Sequence, residues 1–375
     1  MTRRLLQGIG TLVTLVIVAG MVGTWAGGEL RDREIVLRDL QVVAGMTREM
    51  STVCIGRFLI DMPQEARLGL QGLRVDGFEI ESFEESAADF LLRVALREKR
   101  LKAEPRQPDG SDHLESVTEV KTDNGVVGKI FVHGRTPKKG TRSSNLTSVG
   151  GRDENVAIEA MVHGGGMSFE IGAEAYDRRL IGNLSTLTAK LVPNRENTVP
   201  TGPGFCFDGG WFRDLTADQR EQVIMHGQLP SYPDIEFLTI LAAGNKPTSP
   251  GLLERSAQTE AALPANVKRR VSRLRGDART IGGLTGDELV RRVLEKDDSI
   301  GYTYWWEVSG TEDSVFIPHF VFQMTTGKGD NGPVPSSLSQ DAGMALWDKI
   351  SSSIRFHHAP PAPVSRPAAP TRPAT

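Results

Sequence analysis

The chain has 375 residues, 44 Lys and Arg against 47 Asp and Glu, a net charge of −3, and two cysteines. The length points to two domains rather than one core. The near-neutral charge lacks the basic footprint of a nucleic-acid binder, and two cysteines leave no paired-cysteine metal spacing.

In chain order, residues 1–28 read as an export segment. Arg3 and Arg4 form a positive flank, residues 5–28 carry no charge, and Leu12 to Val18 is densely apolar. The run is nearly long enough to cross a bilayer, which favours an uncleaved signal-anchor whose positive end stays in the cytoplasm. A cleaved signal ending near Thr24-Trp25-Ala26 and a buried core helix are the alternatives. Under either export reading, the remainder lies outside the cytoplasm. At the other end, residues 359–375 are Pro, Ala, Arg, Ser and Thr with one Val, without apolar periodicity, and read as a disordered tail.

The folded part predicts two similar tandem halves, residues 50–195 and 204–357. In the first, a strand over Val53–Ile60 stops at Asp61-Met62-Pro63, since proline cannot donate to a ladder. Residues 68–80 read as twisted strand and turn. Ser86-Ala87-Ala88-Asp89 is a capping-box-like helix start, followed to about Ala103 by an amphipathic pattern. A strand at 125–132 and a hairpin over 156–162 and 167–175 follow, the hairpin turning at His163-Gly164-Gly165-Gly166. A helix near 179–191 closes the half. The second half shows strands around Cys206 and over 235–241, a polar stretch at 245–277 with a helix near 252–262, strands at 302–308 and 315–324, and a last helix with Ala342, Leu346, Ile350 and Ile354 in register. The expected class is α+β: antiparallel sheets each covered by helices, after an N-terminal apolar helix.

Cys54 and Cys206 each sit on a short apolar strand opening one half. Two cysteines in an exported chain permit one disulfide, and closing so long a loop is worth about 4–5 kcal/mol in the chain-entropy picture. Two buried free thiols are the alternative.

No catalytic motif emerges. Gly166-Met167-Ser168-Phe169-Glu170 lacks the final glycine of a nucleophile elbow and lies in a hairpin. No His-Glu-x-x-His helix or phosphate loop is present. Gly164 to Gly166 reads as a turn before an anion nest. Cys54 has no visible activating base. Asp208, Asp214 and Asp218 match no calcium-loop spacing. His357-His358 reads as a helix-end cap before a metal ligand. Catalytic, cofactor and metal residues are therefore assigned as none. In Tyr302-Thr303-Tyr304-Trp305-Trp306, Tyr304 and Trp306 share one strand face and Trp305 takes the other; one face reads as core, and the second as ordinary packing before an exposed aromatic patch for a protein partner.

Cys54-Ile55-Gly56-Arg57-Phe58-Leu59-Ile60-Asp61-Met62-Pro63, Gly204-Phe205-Cys206-Phe207-Asp208-Gly209-Gly210-Trp211 and Ala345-Leu346-Trp347-Asp348-Lys349-Ile350 with Ile354-Arg355-Phe356 are similar to segments of the type VI lipase immunity proteins. The resemblance covers most of residues 50–356. It implies a periplasmic antitoxin of two similar α+β domains arranged like a claw, which binds a cognate phospholipase effector and holds its lid inactive without catalysis or cofactor. The long apolar segment and the Pro/Ala tail depart from the pattern, and the first raises a tether to the inner membrane. Polar loops at 104–112, 137–151 and 245–277 are the expected effector contacts. An envelope assembly factor and an exported hydrolase are the competing readings.

Overall fold

A computed structural model describes residues 37–107, 110–137, 154–215 and 220–358. The apolar segment at 1–28, residues 138–151 of the expected contact loop, Asp218 and the tail at 359–375 lie outside the described residues. Among the described residues no helix is long and apolar enough to cross a membrane.

The first described helix, α1, covers residues 37–46. The segment expected as one strand at Val53–Ile60 is a tight hairpin instead, β1 (Met50–Ile55) and β2 (Phe58–Pro63), with Ile55 opposite Phe58. Gly56 makes the break. Its φ of +55 is a left-handed conformation that strains other L residues, and a Cβ there would meet Leu241 at 3.1 Å and Phe205 at 3.3 Å.

The first half continues with β3 (Arg67–Val75), β4 (Phe78–Glu84), α2 (Ala87–Ala103), β5 (Leu114–Lys121), β6 (Val127–Pro137), β7 (Glu154–Gly164), β8 (Met167–Asp177), α3 (Gly182–Lys190) and β9 (Leu191–Pro193). Ser86 caps α2 by accepting from the Asp89 amide, as the capping-box pattern suggests. The second half opens on another hairpin, β10 (Gly204–Phe207) and β11 (Gly210–Arg213). It continues with β12 (Glu221–Leu229), β13 (Tyr232–Ala243), α4 (Leu252–Ala262), α5 (Ala265–Lys268), β14 (Val271–Ile281), β15 (Leu284–Leu294), β16 (Ile300–Ser309) and β17 (His319–Thr326). The short β18 (Lys328–Gly329) and β19 (Gly332–Pro333), then α6 (Gln340–Ser351) and β20 (Arg355–Phe356), complete it.

Among the described residues the chain is mostly antiparallel strand with few helices, and its two halves share one 12-stranded sheet in the order β14-β15-β16-β17-β13-β12-β3-β4-β8-β7-β6-β5. The expectation of a separate sheet in each half is corrected here, because β12 pairs with β3, Met225 standing opposite Leu70. Read outward from that seam, one half runs β3-β4-β8-β7-β6-β5 and the other β12-β13-β17-β16-β15-β14. The two connectivities are identical, so the halves are a structural repeat related by a two-fold-like axis at the antiparallel seam.

Two small sheets, β1-β2-β20 and β10-β11-β9, lie on one face of the large one. Each hairpin is exchanged. β1–β2 begins the first half yet pairs with β20, and its Phe58 packs on Phe320 and Phe356 at ring distances of 5.0 and 4.8 Å. β10–β11 begins the second half yet pairs with β9, and its Phe207 meets Phe169 at 6.1 Å. The main core fills this face. From the strands come Ile158, Ala160, Tyr304 and Trp306, and above them lie Leu184 and Leu187 of α3 and Leu346, Trp347 and Ile350 of α6. The opposite face carries α2 on one wing, where Phe90, Val94 and Leu101 pack on Phe131 and Met161. On the other wing, α4 packs on β15.

Candidate functional site

The two cysteines occupy matching places in the two hairpins, Cys54 opposite Leu59 and Cys206 opposite Trp211. A disulfide joins them, with Cα atoms 5.7 Å apart across a sequence separation of 152. Beside it, Gly56 N donates to Cys206 O at 2.9 Å and Cys206 N donates to Gly56 O at 2.8 Å. The disulfide therefore lies where the two exchanged hairpins cross. His357 is the third group there. Its amide donates to Arg57 O at 2.9 Å, its Nε2 lies 2.7 Å from Pro200 O, and one ring nitrogen lies within 4.8 Å of both sulfurs. His357 does not cap α6, as the His-His pair suggested; it ties the end of the chain to the hairpin junction.

Arg57, in the first hairpin turn, is buried against the second half. Its Nε donates to Glu221 Oε2 at 2.8 Å, and its guanidinium lies 5.1 Å from the Phe316 ring. Burial pushes the Glu221 carboxyl up, and the Arg57 guanidinium pulls against that.

Ser168, from the incomplete elbow, is fully buried. Its hydroxyl donates to Glu85, and His163 Nδ1 lies 3.1 Å from the same oxygen. An activated serine needs the imidazole between acid and hydroxyl. Here the hydroxyl stands between them, so this cluster does not match a triad. Gly165 and Gly166, with φ of +58 and +80, form the β7–β8 turn. Asp208 lies in the β10–β11 turn and accepts from Asn197 Nδ2 at 2.7 Å, and Asp214 takes φ +52. Tyr304 and Trp306 are core, Tyr304 stacking on Trp347 at 5.7 Å, whereas Trp305 is half-buried on the opposite face.

On that opposite face each wing helix is tied down by an Arg–Glu pair with a histidine beside it. Arg97 of α2 meets Glu159 of β7 at 2.7 and 3.1 Å, and His133 lies 3.5 Å away. Arg255 of α4 meets Glu307 of β16 at 2.7 Å, and His319 lies 3.4 Å away. The helices and the glutamate-bearing strands correspond in the repeat. In both, burial raises the carboxyl, but the histidine and arginine outweigh it and hold the acid below its usual range. These clamps escaped the sequence reading, since residues far apart in the chain form them without a shared motif.

Between the wings the sheet face is open. Its first-half side forms a groove of roughly 730 Å³ whose lining includes Arg74, Glu79, Glu81, Glu159, Glu170 and Glu174. Ile224 and Ile240 pair across the seam side of the second half and are half-buried. Of the three expected contact loops, residues 245–277 are largely helix and strand: α4, α5 and the start of β14.

Residues 51–179 match the family described as Tle cognate immunity protein 4, N-terminal domain, and residues 198–359 match its C-terminal domain. No curated protein sequence matches the chain significantly. Among solved structures, the type VI secretion immunity protein TplEi from Pseudomonas aeruginosa, complexed with an "L" peptide, is similar at 22% identity and a TM-score of 0.64, over 82% of this chain and 98% of that one. A chain of the Tle4–Tli4 complex is similar at 21% identity and a TM-score of 0.65, over 82% and 97%. At these identities the structural likeness establishes the fold, and the two domain matches establish the family. With both halves of the repeat matched in order, the chain belongs to the type VI secretion lipase immunity proteins, the Tle cognate immunity protein 4 family.

Proposed function

We propose that this chain is a periplasmic immunity protein that binds a cognate type VI phospholipase effector and blocks it sterically, protecting the producing cell. The observation that carries this reading is the ordered match of residues 51–179 and 198–359 to the two domains of the immunity family. A solved relative is a partner in the Tle4–Tli4 complex, which supports the same kind of partner here. The open face between α2 and α4 suits the role: two wings anchored by Arg–Glu clamps flank a strip with acidic residues on one side and half-buried isoleucines on the other. No reacting group is needed, and no cofactor is assigned.

Several finer features belong to this proposal. The domains run over residues 50–195 and 204–357, each contributing one half of the shared large sheet, with the tail at 359–375 outside both. Residues 1–28 supply export and, left uncleaved, an inner-membrane anchor. The Cys54–Cys206 bond forms after export and staples the exchanged hairpins.

The test is protection in cells. A host that exports the cognate type VI lipase to its periplasm should survive when it also exports residues 29–375 of this chain. Killing that continues despite correct export of both proteins contradicts the proposal.

A further inference from the structure

We propose that the reduced form of this protein binds a thiophilic divalent cation, of the Zn²⁺ type, through Cys54, Cys206 and His357. Donor atoms of all three lie within 4.8 Å of one another, although Cys54 and Cys206 are 152 residues apart in sequence. The fold assembles this set by crossing the two hairpins and returning β20 over them.

The histidine supplies the independent observation. Pro200 O, 2.7 Å from His357 Nε2, can only accept, so Nε2 carries the proton and Nδ1 carries the lone pair. Nδ1 is buried and has no hydrogen-bond partner. A buried lone pair without a donor is costly, and protonating Nδ1 would only place an unpaired N–H in the same spot. An imidazole whose other nitrogen donates to a backbone carbonyl is the usual arrangement of a metal-binding histidine. The amide bond from His357 to Arg57 O at 2.9 Å holds the residue beside the first hairpin. Cys54 and Cys206 are 9% and 4% exposed, so solvent competes weakly for the cation.

With the disulfide intact the sulfurs are bonded to each other and the site is closed. A dithiol reductant opens it: the S–S bond breaks, the two sulfurs take up two electrons and two protons, and the reductant becomes its own disulfide. The cation then displaces both thiol protons to solvent, forms two S–metal bonds and takes the Nδ1 lone pair as its third ligand, with a water completing the tetrahedron. The metal would join the same two hairpins that the disulfide joins.

The test uses residues 29–375, reduced with a dithiol and desalted without oxygen, with Co²⁺ as the probe. One equivalent should give a thiolate-to-cobalt charge-transfer band that Zn²⁺ removes, and Zn²⁺ should raise the melting temperature of the reduced protein but not of the oxidised one. His357→Ala should weaken Co²⁺ binding at least about tenfold, and His358→Ala should leave it unchanged. Should the reduced protein lose its fold, recovery of native circular dichroism on adding Zn²⁺ supports the site. No charge-transfer band, a band unaltered in His357→Ala, or a reduced chain that stays unfolded with Zn²⁺ would each overturn the proposal.

Discussion

At the scale of single residues, the hairpin junction concentrates the groups whose loss should cost most. Arg57 and Glu221 are 8% and 3% exposed and are paired with each other. Arg57→Met strands a buried carboxylate and should lower unfolding free energy by about 3–5 kcal/mol in denaturant titrations. Arg57→Met with Glu221→Leu should recover most of that loss, because apolar side chains replace the pair rather than break it. The disulfide is a second such point. Intact mass under non-reducing conditions should fall two hydrogens below the reduced chain, and Cys206→Ser should destabilise by about 2–5 kcal/mol. Both cysteines were visible in the sequence as structural residues. Their matching places in two exchanged hairpins were not, because the exchange is a property of strand pairing between distant segments.

At the scale of elements, α2 and α4 are held to the sheet by equivalent ion pairs. Glu159 and Glu307 have folded pKa values below the ordinary 4.5, so each adds stability that is fully present above that pH and is lost as pH falls through the lowered value. Glu159→Gln with Glu307→Gln should therefore flatten the fall of unfolding free energy below pH 4.5, as measured by denaturant titration across an acid series. A difference curve with no slope in that window would show that the clamps are not ionised anchors. Most elements were legible: the cap at Ser86, the β7–β8 hairpin and the α4 and α6 helices all follow local pattern. Strands β5, β14 and β15 were missed, and β5 and β14 are the two outermost strands of the large sheet. Edge strands face water on more sides and carry charge, so apolar alternation fades. In β14, Arg275 reaches Asp348 at 2.6 Å and Arg279 reaches Glu288, which makes an Arg-rich strand look like a polar loop. Strand β12 did carry the period-two signal in Val223, Met225 and Leu229, but Ile224 on the alternate face and Gly227 in the apolar register broke it.

At the scale of the molecule, the halves are interlocked rather than merely adjacent. Each contributes a hairpin to the other's small sheet, the large sheet runs through the seam, and one disulfide crosses the junction. Cleaving the chain with a protease site inserted between β9 and β10 should leave the two fragments co-eluting as one particle, even after reduction. Separation of the fragments on reduction alone would show that the disulfide, not the exchanged strands, holds the halves together. This interlocking gives the open face rigid wings, which a steric inhibitor needs if it is to hold an enzyme without reshaping itself around it. Such a scaffold silences a lipase by binding it, without chemistry of its own. The most direct measurement titrates purified residues 29–375 into its cognate type VI lipase effector while following phospholipid hydrolysis. Hydrolysis should fall linearly to a plateau near zero at one equivalent, with a stable complex on gel filtration; hydrolysis unchanged at excess, with no complex, would contradict inhibition by binding.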